Sequence, residues 1–458
     1  MKRRDDMQKV REFLASDKAN ILMFVIAAVI ICIDQMLGTP VYYGLSIGYG
    51  FLCFIILMLT DDLVSVLCPS LLAISFFIQY KNSYDAYMHY LWGIPFIVFA
   101  VLFHIIAYRK RFERKKISDL ELFWPIAAAS VAMMLGGVGI MTFSEYTSSL
   151  NLVNAIMLGP ATLLIYYILS GLNGPGKNYT DDMGERLAKI FITVAVFLIF
   201  AIFEYYGEHW AKFIAKPNIL PFQWRNNACT LLMIAMPFSF YMAKKKHFAY
   251  MAVAVMSCVA FVLSGSRGGL VFGAIEFLIL IIYYAKTDKN HRKYYLGVLG
   301  LGVAAAAVVL IKYSSLLAYT LDRFTSYKEN FRRLGLWKRS VEDFLANPLF
   351  GRGVGYKGNR DLHPSKIGSL CWYHSSLPQI WGSLGIAGML AYGYQFIARI
   401  KFFMRRHTDE ARAVFFSFIG LELISLVNPG IFAPAYLIII TILFVITEQY
   451  TKEAPSTR

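Results

Sequence analysis

Residues 225–269 read "RNNACTLLMIAMPFSFYMAKKKHFAYMAVAVMSCVAFVLSGSRGG". Two apolar windows, 226–243 and 247–264, flank the basic turn "KKKH", and their outer ends carry Arg225 and Arg267. Neither window holds a charged residue. Each approaches the roughly 20 residues that an α-helix needs to cross a hydrocarbon core. A chain that repeats this unit reads as membrane helices joined by short loops.

The unit does repeat, in both directions. Apolar windows fall at 20–34, 42–59, 63–80, 90–107, 121–142, 152–172, 188–205, 226–243, 247–264, 268–285, 294–312, 378–398, 412–428 and 431–447. They predict an all-α, polytopic integral membrane protein with about 12–14 transmembrane helices. Composition agrees: the 458 residues are 57% hydrophobic and 16% charged, with mean hydropathy +0.52. Soluble domains carry about 45–50% apolar and about 25% charged residues. The opening "MKRRDDMQKVREFLASDKAN" is too long and too mixed in charge for a signal n-region, and no A-x-A site follows, so the first helix is expected to stay.

The net charge of +16 gathers in short loops rather than on a folded basic face, which argues against nucleic acid as a partner. "MKRRDD", "RKRFERKK" (109–116), "KKKH" (244–247), "KTDKNHRK" (286–293) and "RIKFFMRRHTDEAR" (399–412) all fall on one side of the spans. By the positive-inside rule that side is the cytoplasm, and both termini share it. The opposite side receives 143–151, 206–225, the turn "SGSRGG" at 264–269 and one long segment, 313–377. The chain thus divides into variable helices at 1–205, helices with outward-facing Arg225 and Arg267 at 206–312, the large extracytoplasmic loop at 313–377, and C-terminal helices with a cytoplasmic tail at 378–458.

The long loop holds ten Lys and Arg against five Asp and Glu. Long segments translocate regardless of charge, so the topology stands, and binding of a polyanion or lipid phosphate accounts for the excess. Leu334, Trp337, Val341 and Phe344 recur at helical spacing until Asn347-Pro348. That pattern predicts an amphipathic helix, either on the outer membrane surface or packed against the bundle.

Polar groups near outer helix ends are few. They are Arg225, Asn226 and Asn227, then Arg267 between glycines, then "RRLGLW", "FGRGVGY" and "WYHSS" with His374. A single arginine at a membrane boundary is ordinarily an interfacial anchor, but several on one side make a phosphate site, because the guanidinium fork matches phosphate oxygens. "FGRGVGY" follows no strand and is no dinucleotide loop. No HExxH, GxSxG, Walker loop, CxxC or close external Asp pair occurs, so no metal and no cofactor are expected. Of six cysteines, five lie in or beside apolar runs and Cys371 is alone in its loop, so no disulfide framework is expected. Asn178-Tyr179-Thr180 matches a glycosylation sequon in a loop assigned to the cytoplasm, and is expected to be silent.

In order and spacing these pieces resemble the O-antigen ligase and O-antigen polymerase superfamily of bacterial membrane glycosyltransferases, over roughly 220–430. The resemblance rests on "RNNACTLLMIAMP", on "SGSRGG", and on "RLGLWKRSVEDFLANPLFGRGVGY…HSSLPQIWGSLGIAG". It implies a GT-C-like membrane enzyme of surface polysaccharide assembly in the bacterial cytoplasmic (inner) membrane. A glycan would move with inversion, and without metal, from undecaprenyl diphosphate to a hydroxyl of a glycan or glycolipid acceptor on the extracytoplasmic side. Carried over by position, Arg225 and Arg267 bind the diphosphate, Arg333 assists, and His374 is the base or acceptor-positioning group, with His374 and Arg267 the catalytic pair. Arg225, Arg267 and His374 would converge on one outward-facing cavity. Ligase and polymerase share these motifs, and the ligase label is the slightly better fit. Arg352, Arg360 and His363 receive no role. A transporter of lipid-linked sugar is the alternative, but it would place charges near the bilayer midplane.

Overall fold

The computed structural model describes residues 2–37, 39–77, 93–111, 115–138, 149–171, 182–208, 225–312, 327–354 and 373–450. Arg360, His363, Cys371 and the 178–180 sequon lie outside them. Every apolar window holds helix, and the described residues contain no strand. In chain order the α-helices are α1 Lys2–Leu14, α2 Asp17–Leu37, α3 Thr39–Leu59, α4 Val64–Phe77, α5 Ile94–Ala107, α6 Phe123–Ala132, α7 Ser149–Leu158, α8 Pro160–Gly171 and α9 Met183–Glu208. They continue as α10 Arg225–Lys245, α11 Met251–Leu263, α12 Arg267–Thr287, α13 Arg292–Lys312, α14 Tyr327–Ala346, α15 Ser376–Met404, α16 Asp409–Ser425 and α17 Pro434–Tyr450. The protein is an all-α, polytopic membrane protein.

Apolar content is continuous, but helix is not. Among the described residues Leu152–Gly171, Met183–Gly207 and Arg267–Thr287 are long and apolar enough to cross a membrane, and Met7–Leu14 with Asp17–Ile33 forms a further pair bent by 70°. Other windows hold shorter apolar helices such as Gly44–Leu59 and Pro434–Tyr450. In the window at 121–142, α6 passes into a π-helical turn at Met133–Gly137.

The chain forms two compact units. One comprises Met1–Arg114 and Gly171–Leu280, the other Lys115–Ser170 and Ile281–Arg458. In the first, α10 is central and is buried on every face from Ala228 to Ala243. That suits a helix with no polar stripe. Phe238 stacks on Phe191 of α9 at 4.6 Å. At the C-terminal end of α10, Lys245 pairs with Asp182 and Lys246 Nζ lies 2.8 Å from Glu185, while Lys189 Nζ lies 2.7 Å from Asp17. Such half-exposed pairs contribute at most about 1 kcal/mol each. They show that the starts of α2 and α9 and the turn "KKKH" share one end of this unit.

In the second unit, α15 is the spine, with α6 and α14 packed on it. At its C-terminal end Arg406 pairs with Glu121, whose backbone N–H donates to Glu448 at 2.8 Å, and the Tyr166 hydroxyl donates to Glu448 at 2.6 Å. The loop before α6, the turn after α15 and the end of α17 therefore meet. The amphipathic helix of the long loop is α14, and it serves two surfaces. Leu336, Ser340 and Asp343 are buried, whereas Leu334, Trp337, Val341 and Leu345 form an exposed apolar stripe.

Candidate active site

In the first unit the motif "SGSRGG" joins α11 to α12 by a turn through Gly265, whose φ of +63° suits glycine. The Ser266 hydroxyl accepts from the Gly269 backbone N–H at 3.0 Å, capping α12. It also donates to the Asn226 side-chain oxygen at 2.7 Å. Cys229 Sγ lies 3.2 Å from the Ser264 hydroxyl, and a Cβ on Gly269 would come within 2.4 Å of that sulfur. Glycine at 269 thus lets α12 close on α10, and the N-termini of the two helices lie side by side. Arg225 begins α10 and Arg267 begins α12. Arg225 Nη1 donates to the Gly265 carbonyl at 3.4 Å, and both arginines are half-buried. Two helix N-termini, whose dipoles favour negative charge, and two arginine side chains thus lie close together at this turn.

The second unit holds His374, directly before α15. Its φ of +55° makes it a left-handed residue, and no other non-glycine among the described residues has positive φ. Such a conformation costs on the order of 1–3 kcal/mol and persists only where its neighbours impose it. The neighbours are visible on both sides. Tyr373 is buried, its N–H donates to Gln379 Oε1 at 3.1 Å, and its hydroxyl donates to Asp343 Oδ2 at 2.6 Å. On the other side Ser375 and Ser376 are buried at the start of α15. The imidazole itself is half-exposed.

Asp343 of α14 is the hub of this support. Its side chain is wholly buried, with Arg352 Nη1 at 2.8 Å and Arg339 Nε at 3.1 Å from Oδ1. These are ion pairs by distance without well-aligned hydrogen bonds; the Tyr373 hydroxyl supplies the aligned one. Burial pushes the Asp343 carboxyl above the usual carboxylate range, against the opposing pull of Tyr373 and the two arginines. One turn earlier on α14, the Ser340 hydroxyl accepts from Trp381 Nε1 at 2.8 Å. Arg333 lies half-buried on the same helical face, ten residues before Asp343.

The segment "PLFGRG" locks the long loop to α15. At Gly385, with φ +62°, α15 breaks. The freed groups are met by the loop: Arg352 N–H donates to the Gly382 carbonyl and Gly353 N–H to the Ser383 carbonyl, each at 2.9 Å, while Ile386 N–H donates to the Pro348 carbonyl at 2.8 Å. A Cβ on Gly351 would lie 2.3 Å from the Ser383 carbonyl carbon, and one on Gly385 would lie 2.5 Å from the Pro348 oxygen. The motif that is no dinucleotide loop is therefore a backbone splint across a broken helix. Asp343, Tyr373 and the clasp role of Arg352 were not found by sequence reasoning. The one sequence signal was an acidic residue placed off the apolar stripe of α14, with a tyrosine directly before the histidine.

Residues 252–393 match the family described as O-antigen ligase. This segment, about a third of the chain, is similar to O-antigen ligases. The match runs from α11 into α15 and takes in Arg267, Arg333 and His374, with Arg225 upstream of it. It supports the O-antigen ligase and polymerase superfamily and an O-antigen ligase-type, glycosyltransferase-like activity in general. No curated protein matches the chain.

Proposed function

We propose that this protein transfers a glycan from undecaprenyl diphosphate to a sugar hydroxyl at the outer face of the cytoplasmic membrane, with inversion and without metal. The observation that carries this reading is the arginine pair beginning two adjoining helices, Arg267 within the segment similar to O-antigen ligases and Arg225 upstream of it. Diphosphate is a leaving group whose charge grows as the anomeric C–O bond breaks, and fixed cations stabilise that charge where another enzyme uses a metal. Arg225 and Arg267 would hold the diphosphate, with Arg333 assisting. The acceptor hydroxyl attacks the anomeric carbon and loses its proton, which the His374 imidazole would take. The conformation imposed on His374 supports a presented, functional side chain rather than a helix cap.

Purified protein given a polyprenyl-diphosphate glycan and an acceptor should form the transferred product without added metal or nucleotide. His374→Ala should lower turnover by roughly 10²–10⁴-fold with donor binding near wild type. Arg267→Ala should weaken both donor binding and turnover, and Arg267→Lys should restore little, since a point charge does not reproduce the planar fork. An arginine that merely anchors the helix would tolerate lysine, so full activity in Arg267→Lys together with His374→Ala would refute the assignment.

A further inference from the structure

Within the second unit a cavity of about 530 Å³ lies between α15 and α16. Its wall is mostly apolar, with Ile380 buried, Trp381 and Leu423 half-buried, and Leu377, Met389 and Phe396 exposed at an open rim. Arg399 lines it and is only 3% exposed. The sequence assigns Arg399 to a basic loop, yet α15 continues through it and carries it into the interior. The guanidinium lies 5.1 Å from the Phe444 ring centroid and 5.6 Å from that of Phe418. Glu422 approaches Nη1 at 4.0 Å, beyond hydrogen-bond reach, and Nε and Nη2 have no hydrogen-bond partner. A buried cation with two unmet donors is costly in an apolar wall, and an anionic group beside it would offset that cost.

We propose that this groove holds an anionic membrane phospholipid, with one hydrocarbon chain along α15 and the phosphate facing the guanidinium of Arg399. Shape and charge both point to this occupant. Leu377 and Arg399 both line the groove and lie 22 residues apart on one kinked helix (399 − 377), a span of up to roughly 33 Å at about 1.5 Å per residue. A groove lined along that length of one helix suits an extended chain. The guanidinium fork suits a phosphate. Position separates this ligand from the proposed donor, because Arg399 lies toward the end of α15 opposite His374. The proposal is independent of the glycosyl-transfer reading, and its test needs no activity.

Native mass spectrometry of the full chain in detergent tests it, with phosphatidylglycerol, phosphatidylcholine or undecaprenyl phosphate added singly. Phosphatidylglycerol should be retained at least about tenfold more strongly than phosphatidylcholine, and Arg399→Gln should weaken its retention by about ten- to a hundredfold, the worth of a charge-assisted hydrogen bond. Met389→Trp, which fills the groove without touching the charge, should weaken retention as well and remains informative if Arg399→Gln fails to fold. Equal retention of the two phospholipids, or phosphatidylglycerol retention unchanged in both variants, overturns the proposal. So does retention of undecaprenyl phosphate alone, or a dimer of the chain that Met389→Trp dissolves, since either gives the groove a different occupant.

Discussion

His374 combines a strained backbone with a half-exposed imidazole, and the two properties can be separated by substitution. Glycine adopts positive φ freely and alanine does not, so His374→Gly should be more stable than His374→Ala by about 1 kcal/mol, while both lose turnover. Thermal unfolding of the two variants beside wild type checks this. Equal melting temperatures would mean that the left-handed conformation carries no strain. The neighbouring Asp343 supplies a pH prediction. Its folded-state pKa is raised, so the folded protein holds that proton more tightly than the unfolded chain. Its contribution to stability is then greatest below the ordinary carboxylate value near about 4, and declines as pH rises toward the raised value. Asp343→Asn should flatten the fall in melting temperature over that window, although losing the ion pairs lowers stability at pH values above it. Were the pH profiles of the two proteins parallel, the shift would be absent.

Among the elements, the splinted helix α15 makes the sharpest demand on sequence. Gly385→Ala must accept positive φ and also push the Pro348 carbonyl from 2.5 Å, so it should cost on the order of 1–3 kcal/mol or more. Gly393→Ala, on the same helix with no heavy atom within 4 Å of its added Cβ, should be neutral or stabilising by up to about 1 kcal/mol. Thermal melts of the pair decide the matter, and equal effects would refute the splint. In α14 the helical period was readable from Leu334, Trp337, Val341 and Phe344, because apolar spacing of three and four residues has one explanation. Which side of α14 faces protein was not readable. The buried side carries Ser340 and Asp343, polar residues that meet Trp381, Tyr373 and Arg352 from elsewhere in the chain and Arg339 one turn back on α14.

For the whole molecule, topology and metal independence are the properties to test. A membrane-impermeant maleimide applied to intact cells should label a cysteine placed at Lys338 and spare one placed at Lys245 until the membrane is opened. The motive is the basic-loop pattern, together with ion pairs that gather Asp17, Asp182 and Lys245 at one end of their unit. The reverse labelling would invert the assigned sides. EDTA should leave transfer intact, since no group of three or more His, Cys, Asp or Glu side chains among the described residues is placed to hold an ion. Activity lost to chelation and restored by Mg²⁺ or Mn²⁺ would reveal a metal site.

The sequence by itself determined the helical membrane class and the segment order, and its motifs already resembled the O-antigen ligase superfamily. These follow from local apolar runs, from charge in short loops, and from motif spacing, all of which act along the chain. Tertiary structure decided the rest. It alone showed that Gly265 and Gly269 bring Arg225 and Arg267 to adjoining helix ends, and that Asp343, thirty-one residues before His374, positions it through Tyr373. It also placed Arg399, read as a loop residue, inside a lipid-sized groove. Each of these depends on which backbone groups and buried charges find partners far away in sequence, and no local pattern encodes such pairing.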